Sequence, residues 1–314
     1  MLAKMQNTFR MIGRQIHDFR ISQLPRFNPQ ERTELTWAKV LESYEKIPEA
    51  YKEFFVPLSK EKTFPYTVFT PAFETLGYKI TEKIVSVLDD AIHVLEKNGK
   101  SLIVQHYPLA GISYVEASRM LLDSRVKISG ITSEGISTTS IVRFSSATDY
   151  IFAPIVKKIR LHSAESKDEQ TKELEKFDPW MSLNFKFMNM ARQSLLGGEK
   201  VIHAMLQPEI RTRIFTFLGI KYHRMVAPTH VAILTDRELI LIQEEPLQGR
   251  KDKYGGIWQY FPLNKIATIY VDRKNRDLLA LSIQLLTGER FDYLFQASMK
   301  DEVDQLLVQF TARC

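Results

Sequence analysis

Cysteine is almost absent: the 314 residues hold one, Cys314. No intramolecular disulfide can form, and a cysteine-bound metal cluster within one chain is excluded. The composition suits a reducing compartment. Long apolar runs are missing too. No stretch approaches the roughly eighteen apolar residues that a spanning helix needs, and residues 1–30 lack the uninterrupted apolar core of a secretory signal. The expected location is the cytoplasm, with a peripheral position at the inner membrane face if the basic surfaces described below meet lipid. Enzyme signatures are missing as well. There is no Gly-x-Ser-x-Gly elbow, His-Glu-x-x-His pair or Gly-x-Gly-x-x-Gly run. Gly99-Lys100-Ser101 imitates the end of a phosphate-binding loop, but Val94 stands where its first glycine belongs. The histidines at 17, 93, 106, 162, 203, 223 and 230 are scattered. The sequence therefore gives no catalytic residue, no metal ligand set and no cofactor.

What is present is an ordinary globular composition with a basic bias. A net charge of +6 and a pI near 9.1 favour acidic partners, namely anionic lipid or an acidic protein face. Nucleic acid fits less well, because no dense basic stripe with stacking aromatics appears. The length predicts about two domains.

The start of the chain is strongly asymmetric. Met5, Phe9, Ile12, Ile16 and Phe19 lie on one helical face, while Lys4, Arg10, Arg14 and Arg20 make it basic. Such a helix suits packing on its own chain, an anionic membrane with Arg10 and Arg14 at phosphates, or an organelle transit peptide. Residues 31–55 read as a second helix carrying Leu35, Ala38, Leu41 and Tyr44, so 1–60 is expected to be a helical N-terminal segment.

From Gly77 the period changes to two. Strands are expected at Lys79–Leu88, Ala91–Glu96, Ser101–His106, Ile112–Glu116, Met120–Ser124, Arg125–Ile128 and 136–144, with Asn98-Gly99 as the strongest hairpin signal. Ser146 with Asp149 resembles a capping box ahead of the stripe Ile151, Ile155 and Ile159. A charged linker follows at 163–181. Ser182–Leu196 reads as a helix with Phe185, Met188, Ala191 and Leu195 on one face. A second meander then runs from Lys200 to Phe295, where Thr287-Gly288-Glu289-Arg290 turns its last hairpin. Ser298 with Asp301 again resembles a capping box, and Val303, Leu306, Leu307 and Phe310 form the final stripe.

The chain thus divides into two units, 61–162 and 182–314, each a meander ended by a helix. Gly198-Glu199-Lys200-Val201, the run Leu234-Thr235-Asp236-Arg237-Glu238-Leu239-Ile240-Leu241 and the closing hairpin and helix at 277–310 resemble bacterial pleckstrin-homology-like domains. Val87-Leu88-Asp89-Asp90-Ala91-Ile92-His93-Val94-Leu95 is similar to the early hairpin of the same family. The resemblance implies an α+β fold of two seven-stranded antiparallel barrels or sandwiches, each plugged by its C-terminal helix. It also implies interaction or assembly modules rather than enzymes. Fold analogy does not name a ligand.

In such a fold the segment Pro208–Pro228 joins the first two strands of the second unit. It sets Arg211, Arg213, Lys221, His223 and Arg224 around an apolar stretch containing Phe215 and Phe217. A basic-aromatic loop of this kind suits a membrane, where the tip inserts and the cations meet phosphate. It also suits a protein partner or internal packing. The expectation is a non-enzymatic binding or scaffold protein that docks on a protein partner or an anionic membrane surface. Two alternatives remain: a homo-oligomeric assembly module without lipid binding, and a hydrolase or transferase with an inter-domain site.

Overall fold

The computed structural model describes residues 36–61, 63–75, 78–99, 101–120, 123–161, 170–217, 220–244 and 255–313. The basic stripe at 4–20, with Arg10 and Arg14, lies outside them. The described chain is α+β and built on antiparallel sheets, none of which closes into a barrel.

The first sheet has the order β1-β2-β5-β6-β7, from β1 (Lys39–Leu41), β2 (Tyr66–Thr70), β5 (Lys83–Leu88), β6 (Ala91–Asn98) and β7 (Ser101–Pro108). Between β2 and β5 a hairpin leaves the sheet, made of β3 (Phe73–Thr75) and β4 (Tyr78–Ile80). Then come β8 (Ile112–Arg119), β9 (Ser124–Ile131), β10 (Ser137–Phe144) and helix α1 (Ala153–Leu161). Helix α2 (Met181–Ser194) leads into the second half. There β11 (Val201–Gln207), β14 (His230–Thr235), β15 (Glu238–Gln243) and β16 (Gly256–Pro262) form ladders, while β12 (Ile210–Phe217) and β13 (Ile220–Ala227) stand apart as a hairpin. The chain ends with β17 (Ile266–Arg273), β18 (Leu278–Leu285), β19 (Arg290–Gln296) and helix α3 (Lys300–Thr311).

The two halves match element for element. In each, a strand is followed by a projecting hairpin, three further strands, one helical turn, a three-stranded meander and a helix. The turns fall on equivalent residues, Pro108-Leu109 before Ile112 and Pro262-Leu263 before Ile266. Each following strand then carries a one-residue bulge at the same place, between Ile112 and Tyr114 and between Ile266 and Thr268.

The halves are not separate bodies. Strand β8 pairs antiparallel with β16 from Arg119↔Gly256 to Val115↔Tyr260, giving one seven-stranded sheet ordered β10-β9-β8-β16-β15-β14-β11. This placement explains why β14 and β15 read as apolar runs rather than alternating patterns. Val231, Ile233, Ile240 and Ile242 face one core, while Ala232, Leu234, Leu239 and Leu241 face another. A strand covered on both sides needs apolar residues at successive positions. Helix α3 supplies Val303, Leu306 and Phe310 to the second of these cores. Ile155 and Ile159 of α1 and Phe187, Met188 and Ala191 of α2 join the first.

Several sequence expectations are corrected. Residues 36–55 are not one helix: Lys39–Leu41 is an edge strand on β2, and short helical turns run from Glu49 to Leu58. Ile47, Tyr51, Phe55 and Leu58 pack on Ile84 and Leu95, the outer face of the first sheet, so this stretch is integral to the first unit. Lys79–Leu88 is interrupted at Thr81-Glu82, and the expected strand Met120–Ser124 lies partly outside the described residues, with the Met120 amide bonded to the Asp123 carbonyl oxygen (3.1 Å). Asn98 pairs with Ser101, and Gly99 has φ +61°. The N-cap residues of the helical turns at Ser146 and Ala297 and of α3 make no side-chain cap bond. In α2 the cap is instead Asn184, whose extended backbone and side-chain bond to the Phe187 amide (3.2 Å) restart the helix. Phe185 consequently lies at the helix start, 60% exposed, and Leu195 falls beyond the helix in an extended conformation.

One buried charge cluster ties α1 to the second half. Arg160 donates from Nε to Glu238 (2.9 Å) and from Nη2 to the Ser194 carbonyl (2.7 Å), with Glu199 at 3.5 Å. Its guanidinium lies 3.8 Å from the Tyr260 ring centroid. Burial, and then the neighbouring Glu238 charge, push the Glu199 carboxyl up to about 8. Burial also pushes His230, and with His106 beside it His93, down to about 4. The two effects have opposite signs. The proton held by Glu199 contributes stability that is complete below the ordinary value of 4.5 and is lost as pH rises toward 8. The neutral imidazoles contribute stability that is present above 6.5 and is lost as pH falls toward 4. Unfolding free energy measured in urea is therefore expected to peak near pH 6.5, where the ordinary imidazole value lies. Glu199→Gln should flatten the alkaline limb and His230→Phe the acid limb. A profile whose alkaline limb is unchanged in Glu199→Gln would contradict this assignment.

Candidate functional site

The basic segment Pro208–Pro228 is a hairpin, not the loop expected. Its base is fixed by Ile210 and Ala227, both buried, next to Gln207 and His230 in the main sheet. Beyond the base no other strand among the described residues pairs with β12 or β13. Arg211, Thr212, Arg213, Tyr222, His223, Arg224 and Met225 are exposed.

The register decides what this arm presents. Arg211 lies across from Met225, Thr212 from Arg224 and Arg213 from His223. The pairing then shifts between Arg213 and Phe215, so that Phe215 meets Tyr222, Thr216 meets Lys221 and Phe217 meets Ile220. Directly paired positions share a face and alternate along each strand. One face is accordingly shared by positions 215, 217, 220 and 222, with Thr212 and Arg224 nearer the base. The other holds positions 211, 213, 216, 221, 223 and 225. Were position 214 paired regularly with Tyr222, Phe215 would fall opposite Lys221. The bulge therefore puts positions 215, 217, 220 and 222 on the face opposite 211, 213, 221 and 223, with Arg224 on the former and Met225 on the latter.

The electrostatics follow from composition. Glu209 is the one acid between Pro208 and Pro228, and it is ion-paired with Arg211. By composition, Arg213, Lys221 and Arg224 remain as an excess positive charge. Of the residues expected to form the site, Arg211, Arg213, Phe215, Phe217, Lys221, His223 and Arg224 all fall on this one arm. Arg10 and Arg14 lie outside the described residues.

The sequence reading missed the matching hairpin of the first half. There Phe73 pairs with Ile80, Glu74 with Lys79 and Thr75 with Tyr78. The signal was available: Leu76-Gly77-Tyr78-Lys79-Ile80 parallels Leu218-Gly219-Ile220-Lys221-Tyr222, with an apolar-lysine-apolar triplet after Leu-Gly in both. Pro71, a residue unsuited to a strand interior, stands two positions before Phe73 and obscures it.

His93 and His106 stack at 4.4 Å between ring centroids, against Phe54. His203 lies 3.4 Å from Glu302, and His230 bonds the Pro228 carbonyl oxygen at 2.9 Å. Among the described residues no three His, Cys, Asp or Glu side chains are grouped as metal ligands, and no helix is long and apolar enough to cross a membrane. No protein-family model matches the chain, and a search of characterised proteins returns no match.

Proposed function

We propose that this is a non-enzymatic docking protein whose β12–β13 arm seats on an anionic membrane surface. The observation that carries this reading is the register of the arm, which gives a projecting hairpin one aromatic-apolar face and one basic face. An amphipathic element of this kind sits with its apolar side in the acyl boundary and its cations at the phosphates. Each lysine or arginine near such a surface contributes about 1 kcal/mol. An excess of three cations in the arm's composition makes a weak but specific attachment. The first-half hairpin, with its similar Leu-Gly-aromatic-Lys tip, would strengthen it through effective concentration if both engage together. Four strands, then three strands and a helix in each half, support a tandem pleckstrin-homology-like organisation, with units near 61–162 and 182–314 and the stretch from Lys39 added to the first.

Flotation with phosphatidylglycerol-containing and pure phosphatidylcholine vesicles tests the reading. Binding is expected to the anionic vesicles alone and to fall steeply with salt. Arg213→Glu/Arg224→Glu changes the arm by four charge units and should weaken binding by about two to three orders of magnitude. Both positions are exposed, so folding should be unaffected. Unchanged binding in the double variant would remove the arm from the account. Absence of vesicle binding in the wild type would leave a protein partner as the occupant.

A further inference from the structure

A cavity of about 200 Å³ lies where the two halves meet, enclosed by α1, strands β8 and β9, Tyr260 of β16 and the extended residues Leu195-Leu196 after α2. It is far from the arm in the chain's topology and shares no residue with it. Its floor is apolar: Phe144 and Phe152 stack at 3.9 Å, and Val156 and Leu196 complete it. Its rim is cationic. Arg119, Arg125, Lys157 and Arg160 line it against one acid, Asp149.

Charge accounting narrows what the cavity accepts. Arg119 is paired with Asp149 at 3.0 Å, Arg125 with Glu116 at 3.5 Å, and Arg160 with Glu238. Lys157 is exposed on α1, and no carboxylate among the described residues lies within ion-pair distance of it. The rim therefore carries one uncompensated positive charge beside an apolar floor. The volume is below the roughly 300–1,000 Å³ of pockets that take drug-sized ligands, which restricts the occupant to a short body.

We propose that this cavity binds a medium-chain monocarboxylate, with the acyl body on Phe144, Phe152, Val156 and Leu196 and the carboxylate at Lys157. A single negative charge completes the rim. A dianion would exceed the uncompensated charge, and a neutral alcohol would leave Lys157 unpaired. Occupation would press α1, Leu195-Leu196 and Tyr260 together, so the ligand would bridge the two halves of the chain.

Calorimetric titration of the full chain with octanoate, against octanol as the neutral counterpart, tests the proposal. Trp258, which lies 5.2 Å from the Arg119 guanidinium, supplies a fluorescence signal at the same wall. Octanoate is expected to saturate one site and bind at least about tenfold tighter than octanol. Lys157→Glu should abolish that preference and leave octanol binding as it was. Ala153→Trp, at an exposed position on the rim, should block both ligands. The proposal is overturned if wild-type protein shows no saturable octanoate binding, if octanol binds as well, or if Lys157→Glu leaves the octanoate affinity unchanged. None of these outcomes depends on whether the arm binds vesicles.

Discussion

Arg160→Met is expected to lower unfolding free energy by roughly 3–5 kcal/mol, the range found when one member of a buried ion pair is removed. The reason is geometric. Arg160 is buried, and its guanidinium neutralises Glu238 while also donating to the Ser194 carbonyl and approaching Glu199. Glu199 itself is held by the Leu196 amide (2.8 Å) and the Thr235 hydroxyl (2.7 Å), so it cannot swing to solvent. Methionine fills similar volume, hence the loss reports charge rather than a cavity. Glu199→Gln/Glu238→Gln added to Arg160→Met should recover much of it, because a neutral cluster no longer strands a carboxylate. Urea denaturation of the three proteins measures this. A single-variant loss below about 1 kcal/mol would mean the cluster is solvated and does not lock α1 to the second half.

Gly255→Val should cost about as much, roughly 2–4 kcal/mol, for a different reason. Gly255 has φ +105°, a conformation hostile to a β-branched residue. A Cβ there would also sit inside contact distance of the Arg119 carbonyl oxygen, which is backbone and cannot move aside. Arg119 and Gly256 begin the β8–β16 ladder, so the clash falls where the two halves join. Gly135→Ala is the control. Its φ is +77° and nothing surrounds it, so only the conformational cost of about 1–2 kcal/mol applies. Because the halves share one sheet, both variants should still unfold in a single transition, at lower urea concentration. Two transitions, or equal losses for the two glycines, would contradict the shared-sheet description.

The legible parts of this sequence were those with a local period. Ile155 and Ile159, or Val303, Leu306 and Phe310, form helical stripes that pack as the spacing predicts. The hairpins at Asp89-Asp90 and Asp236-Arg237 have the turn chemistry their residues require. What the pattern hid was decided by distant partners. Ala38, Leu41 and Tyr44 are spaced as a helix, but β2 offers an unpaired edge and Lys39–Leu41 takes it as a strand. Pairing of β8 with β16 joins residues about 140 positions apart and leaves no local signature. For the candidate site, composition singled out the segment Pro208–Pro228, which forms a hairpin. The face on which each residue falls depended on a bulge between Arg213 and Phe215, which no propensity announces. The cap of α2 had no such signal: Asn184, inside the expected helix, accepts from the Phe187 amide.

The central claim is that the arm, rather than another face, meets lipid. An environment-sensitive fluorophore on single cysteines tests this most directly, in a Cys314→Ser background. Tyr222→Cys places the probe on the aromatic face of the arm, and Val308→Cys places it on the exposed side of α3. On adding phosphatidylglycerol-containing vesicles, the account predicts a blue shift at 222, none at 308, and loss of the shift when Arg213→Glu/Arg224→Glu is added. An unshifted probe at 222 on vesicle-bound protein, or an equal shift at 308, would contradict it.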